Sequence, residues 1–314
     1  MSFPKTQTEW QTALDALPSN PDKIPAFFFG HGSPMLIAPI GERSRAMPSS
    51  MGPEGYLASF LRDFGPALRA KYNPKGIVVF SAHWETLGVR HVTDYGDRNP
   101  LLMDYYGFEP HYYGQKFESR GDRTLAERVV QLYKEAGQDA RLTSVEESRG
   151  WDGRASPPRP GPGLDHGVFV PFKLMFGENV DDMPIVQVSI ESSTNPEQNW
   201  AVGKAVSKLR EEGILVLAGG LTVHNLRDRK HFAEHQASPN VRDFEKAIPV
   251  AASQSDLDQR KQLMFDLVKY DGFRDAHPTA EHFVPLYIAA GAGEEGGVKV
   301  INAIYSAPTI AFGI

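Results

Sequence analysis

IPAFFFGHGSP, residues Ile24–Pro34, is an apolar run that stops abruptly at a glycine, a histidine and a proline. Three more runs share this build: GIVVFSAHW from Gly76, MPIVQVSIESS from Met183 and GILVLAGGLTVHN from Gly213. Apolar residues without in-out alternation fit parallel strands buried on both faces better than a half-solvated antiparallel sheet. Helical patterns fall between them, at Tyr56–Ala70, Arg123–Ala136, Pro171–Phe176 and Gln198–Glu212. Strand alternating with helix implies βαβ crossovers with helices on both faces. The expected fold class is therefore α/β: a single three-layer α/β/α domain over residues 1–314, built around a mostly parallel sheet, with 1–23 as an N-terminal extension.

Three stretches interrupt the alternation. Residues 39–53 are rich in Pro, Ser and Met, 150–163 (GWDGRASPPRPGPG) in Pro, Gly and Arg, and 227–256 in charge. They read as surface insertions, which chains tolerate cheaply. The middle one ends just before Leu164-Asp165-His166-Gly167 and is also a candidate wall or cover for a site.

The 314 residues include no cysteine and ten histidines, with a formal net charge of -6. Zero cysteine excludes disulfide scaffolds, thiolate-held zinc, iron–sulfur clusters and cysteine nucleophiles, so any metal must be held by His, Asp or Glu. The acidic balance offers no field for a phosphate backbone, and nucleic acid is not an expected partner. No apolar stretch approaches the ~20 residues of a membrane span, and the N-terminal residues show no targeting pattern, which makes the cytoplasm the expected location. Nothing in the sequence sets an oligomeric state.

The histidines are informative by position. His31 and His83 follow strand runs, and His224 lies a few residues beyond the ILVLAGG run. In doubly wound sheets ligands bind beyond the carboxyl ends of the strands. His282 precedes Pro285, and His166 precedes Pro171. Each proline reads as a helix start, which places both histidines in loops at helix entrances. Three or four of these five imidazoles could hold one divalent metal ion. His277 is a weaker candidate, and His91, His111, His231 and His235 read as ordinary polar histidines. Glu281 and Glu85 could orient the neighbouring histidines, but the preferred reading leaves them facing solvent. No nucleophile elbow, phosphate loop or HExxH helix is present, and Ser81 lacks an assignable orienting partner for nucleophilic work.

GHGSP at Gly30, SAHW at Ser81, LDHG at Leu164, VQVSI with a following SS at Val186, VHNL at Val223 and EHFVPL at Glu281 occur in that order. Together these blocks resemble the DODA-type (4,5-DOPA extradiol) branch of the class III, LigB-like extradiol ring-cleavage dioxygenases. The resemblance covers the chain from about residue 24 onward. It implies an α/β enzyme that opens catechol rings with O2 at one non-haem metal ion. Carried over by residue, it implies His31, His83 and His282 as metal ligands. It makes His224 either a fourth ligand or an acid/base group, and His166 a base near the substrate. Better-known class III enzymes use two histidines and one carboxylate; here the third position matches His282, and an all-imidazole set suits Zn(II) as well as the Fe(II) expected for activity.

On this reading a DOPA-like or protocatechuate-like diol and O2 are the reaction partners. Trp84, Phe169 and Phe283 are candidates to flank the ring, and Arg154, Arg159 or Arg227 to pair with a substrate carboxylate. Two other classes are a zinc-dependent hydrolase on the same histidines and a non-catalytic scaffold of the same fold.

Overall fold

The computed structural model describes residues 2–42 and 48–314; part of the 39–53 stretch, 43–47, lies outside the described residues. Eight strands form the main sheet: Ala26–Gly30 (β1), Gly76–Thr86 (β2), Val89–Asp94 (β3), Asp139–Ser144 (β4), Ile185–Glu191 (β5), Ile214–Gly220 (β6), Val298–Asn302 (β7) and Thr309–Phe312 (β8). Their order across the sheet is β7-β8-β1-β6-β2-β5-β3-β4. The four apolar runs supply β1, β6, β2 and β5, which are parallel to one another at the centre. β8 and β7 extend one edge antiparallel, and on the other side β3 meets β5 antiparallel and carries β4 parallel.

Side chains leave each central strand alternately to opposite faces, and both faces are dry. Phe28, Val78, Phe80 and Val216 pack beneath helices Arg123–Glu135 (α3), Pro196–Ala205 (α5), Pro239–Ala252 (α6), Leu257–Asp266 (α7) and Pro285–Ala292 (α8). Phe27, Phe29, Val79 and Leu217 pack against Gln7–Asp15 (α1), Tyr56–Tyr72 (α2) and His166–Phe176 (α4). Burial on both sides is the physical reason the runs show no alternation. The architecture is three-layered around a mostly parallel sheet, as expected.

Three elements differ from their sequence readings. Pro171 does not begin a helix: α4 starts at His166 and carries Pro171 inside it. A proline there costs only the N–H bond to the Gly167 carbonyl, and Asp165 has already started the helix by accepting from the N–H groups of Val168 and Phe169. The helix read over 198–212 ends at Ala205 and becomes a 3-10 turn, Ser207–Arg210. There the buried Arg210 donates to the carbonyls of Ile24, Ala292 and Gly313. The polar stretch 227–256 holds α6, capped by Ser238, which accepts from Val241 N–H, and its spaced apolar residues Val241, Phe244 and Ile248 are core.

Candidate metal centre

The site is built at the carboxyl ends of the parallel strands. His31 directly follows β1, and its N–H donates to the Gly220 carbonyl at the end of neighbouring β6. His224 lies four residues beyond β6, fixed by its N–H donating to Ala276 O, while the His282 carbonyl accepts from Leu221 N–H. Pro285 opens α8, so His282 does sit at a helix entrance. His83 lies within β2 rather than after it, inside the register irregularity between Phe80 and Glu85 against β5. Bulges re-aim side chains, and this one lets a residue of a continuing strand face the cleft.

Gly32 and Gly167 are dictated by close approach. Gly32 holds φ +70, and a Cβ there would lie 2.3 Å from Leu36 Cδ1; one on Gly167 would lie 2.6 Å from Ser81 Oγ and 2.9 Å from His83 Cδ2. Only glycine lets α4 start this close to His83.

All five candidate histidines line one cleft of about 550 Å³. The rings of His31, His83 and His282 stand 4.8–5.2 Å apart, centre to centre. His224 stacks on His282 at 3.4 Å, and His166 approaches His83 at 4.1 Å. Donor atoms of His31, His83 and His166 lie within 4.8 Å of one another, as do those of His224, Glu281 and His282.

Two carboxylates orient these rings. Asp104 bridges His83 Nδ1 at 3.3 Å and His166 Nδ1 at 2.9 Å, and also accepts from His166 N–H. Glu281 Oε1 is 2.8 Å from His282 Nδ1 and 3.6 Å from His224 Nδ1. Glu281 is thus an orienting group, contrary to its solvent-facing reading; Glu85 is exposed, as that reading has it. Occupying each Nδ1 leaves Nε2 free for the cleft, the usual way a carboxylate fixes a ligating imidazole.

Both nitrogens of His31 and Nε2 of His83 are buried without a hydrogen-bond partner. Unpaired buried nitrogens are costly, and a bound cation would satisfy them. Burial, then repulsion from neighbouring imidazoles, pushes His31 and His282 well below the ordinary histidine range and His83 down to about 4. These rings are neutral at pH 7, the state in which imidazole ligates. His166 goes the other way: burial opposes its proton, but the Asp104 charge and hydrogen bond raise it above the ordinary value. The cleft therefore fits a divalent metal.

The remaining residues sort clearly. His277 is fully buried away from the cleft, its Nε2 donating to Thr222 O among Phe244, Phe273 and Phe283. Burial lowers it to about 3. As pH falls below ~6.5, the unfolded chain binds a proton that the folded one refuses, so this residue lowers stability progressively as pH falls toward about 3. In denaturant titrations from pH 6 to 4, His277→Gln, which can still donate to Thr222, is expected to flatten the acid limb by close to one proton.

Ser81 donates to Asp165 Oδ1 at 2.7 Å and accepts from His83 N–H, which ties it to a buried carboxylate already held by Arg149 and Gln187 and not to an imidazole. Asp165 is buried with Arg149, which stacks on Trp84. Trp84, Phe169 and Phe283 are core residues and do not line the cleft; Tyr105, Tyr106, Phe108 and Phe232 do. Residues 150–163 form a hairpin, Gly150–Asp152 with Arg159–Gly161, outside the cleft lining, and its Trp151 carbonyl accepts from Tyr106 OH. Arg154 is spent on Asp152 and the Leu101 carbonyl, and Arg159 and Arg227 do not reach the cleft wall.

Asp104, Tyr105 and Tyr106 escaped the sequence reading because their stretch, LLMDYYGFEP, has no strand or helix signal. It reaches the site through a bridge of Leu101 to Leu164, which sets Asp104 against His166. Glu281 carried the signal of direct adjacency to His282.

The family described as the catalytic LigB subunit of aromatic ring-opening dioxygenase matches residues 25–312. The chain belongs to the LigB family. This LigB-family chain is 36% identical to a 4,5-DOPA dioxygenase extradiol-like protein of Schizosaccharomyces pombe over 98% of its length and 97% of the relative's. It is 27% identical to a 4,5-DOPA dioxygenase extradiol of Beta vulgaris (91% and 94% covered) and 28% to one of Escherichia coli (86% and 85%). An uncharacterized Escherichia coli K12 protein of known crystal structure shares the fold, with TM-score 0.61 and 23% identity over 93% of this chain and all of that one. Among the described residues, no helix is long and apolar enough to cross a membrane.

Proposed function

We propose that this protein is an extradiol dioxygenase that opens a catechol-type ring beside its diol with O2, at one non-haem metal held by His31, His83 and His282. The observation that carries this reading is the convergence of neutral, buried and unpartnered imidazole nitrogens on an aromatic-walled cleft in a LigB-family chain. Fe(II) held there supplies a Lewis acid for the diol and an electron route between ring and O2; Zn(II) fits the same donors without that route.

The chain's own groups divide the remaining work. Tyr105, Tyr106, Phe108 and Phe232 give the ring an apolar slot. With Nδ1 committed to Asp104, His166 has Nε2 left to take a diol proton and return it. His224, stacked on His282 and facing Glu281, stands at the edge of the ligand set as a second proton carrier or a fourth ligand. A hydrolase would need a free carboxylate base. Both cleft carboxylates are committed to histidines, which favours the dioxygenase.

Because Asp104 holds two rings at once, Asp104→Asn is expected to lower kcat/KM about 10–100-fold while the protein stays folded, as steady-state kinetics with parallel metal analysis would show. The function itself is tested by anaerobic loading with Fe(II), then a panel of substituted catechols, then air. Oxygen uptake matched to catechol loss with a new yellow chromophore is expected. Ester or amide turnover with Zn(II) and no oxygen uptake with Fe(II) would overturn the reading.

A further inference from the structure

The cleft wall carries a cation that no part of this chemistry uses. Arg229 is the one Lys or Arg lining the cleft among the described residues, and it forms no ion pair with any of them. The nearest acid in sequence, Asp228, is already held by Lys230 at 2.7 Å and by His231 at 3.4 Å.

Its backbone is fixed even though its head is exposed. Asn225 Oδ1 accepts from the N–H groups of Arg227 and Asp228, each at 3.0 Å, and Asn225 Nδ2 donates to Asp275 O. On the other side Tyr305 OH donates to His231 O at 3.1 Å, and Phe232 is buried with its ring 6.3 Å from that of His224. A guanidinium without an internal partner, on a turn pinned at both ends, is placed for an outside anion at little ordering cost to the backbone.

Depth orders the cleft. His31 and His282 are 1% and 4% exposed at its base, the aromatic residues form the walls, and Arg229 is at the solvent side. A diol facing the histidines points its ring substituent outward. The other charges in the cleft, Asp104 and Glu281, would repel an anion but are engaged with histidines at the base.

Building on the dioxygenase reading, we propose that Arg229 is the specificity-determining residue of the cleft: it pairs with an anionic ring substituent and thereby discriminates a carboxylated catechol from its neutral analogue. Arginine suits this role because its planar fork matches a carboxylate in two parallel hydrogen bonds.

The test compares wild type, Arg229→Gln and Arg229→Lys, each loaded with Fe(II), on 3-(3,4-dihydroxyphenyl)propanoate and on the neutral 4-ethylcatechol. For Arg229→Gln the ratio of kcat/KM, carboxylated over neutral, is expected to fall at least about 10-fold, mainly through KM, with partial recovery in Arg229→Lys. Binding without turnover is read in parallel by calorimetry with 3-(4-hydroxyphenyl)propanoate, which cannot be opened beside a diol. Its affinity should fall in Arg229→Gln and weaken with added salt in wild type. An unchanged substrate ratio, or equal losses on both catechols, overturns the role of Arg229 and leaves the dioxygenase standing. Arg229-dependent binding of the carboxylated phenol without ring opening of either catechol by wild type does the reverse. Neither binding nor turnover overturns both.

Discussion

His83→Ala is expected to leave a folded protein that no longer holds its metal. Content should drop to under about a tenth of an ion per chain, and ring opening to background. His83 presents an unpartnered buried Nε2, while its Nδ1 is held by Asp104. Removing it takes away one oriented imidazole of the three proposed, and alanine offers no replacement donor. The fold should survive, because β2 pairs with β6 before the irregularity and with β5 on both sides of it, and Asp104 keeps its bonds to His166. Metal analysis after dialysis, with circular dichroism as the control for folding, checks this. Full metal content in the variant would remove His83 from the ligand set.

His166→Gln separates proton transfer from metal binding. His166 lies near enough to His31 and His83 to share an ion with them, yet its Nδ1 and backbone N–H both point at Asp104. If it carries protons, the variant should keep its metal and lose about 10²–10⁴-fold in kcat, with a much smaller change in KM. Glutamine can still donate toward Asp104 but cannot cycle a proton near neutral pH. Loss of the metal instead would show that His31, His83 and His166 form the ligand set and that His282 is the peripheral group.

Much of the site was readable because the chemistry follows the fold. Four apolar runs defined the parallel centre, and the residues just past them had to face the crevice, so His31 and His224 could be placed from strand ends alone. His282 was readable from Pro285, which fits the first turn of a helix and of little else. The same rule failed at Pro171, because Asp165 and the tight packing of Gly167 against His83 fix the start of α4 five residues earlier. Asp104 was beyond local reading: it lies in an irregular stretch and reaches His166 only through the Leu101 to Leu164 contact. The arginines nearest the motifs drew attention, whereas Arg229 sits in a stretch read as an insertion and gains its meaning from the turn that Asn225 and Tyr305 fix.

Ring opening by O2 at the histidine cluster is decided by running the Fe(II)-loaded protein with a catechol under 18O2 and examining the product by mass spectrometry and NMR. One ring-opened semialdehyde acid is expected, cleaved beside and not between the two hydroxyls. Both oxygen atoms of one O2 should be present before exchange with water. A product without 18O, cleavage between the hydroxyls, or an intact ring oxidised to a quinone would contradict the extradiol reading.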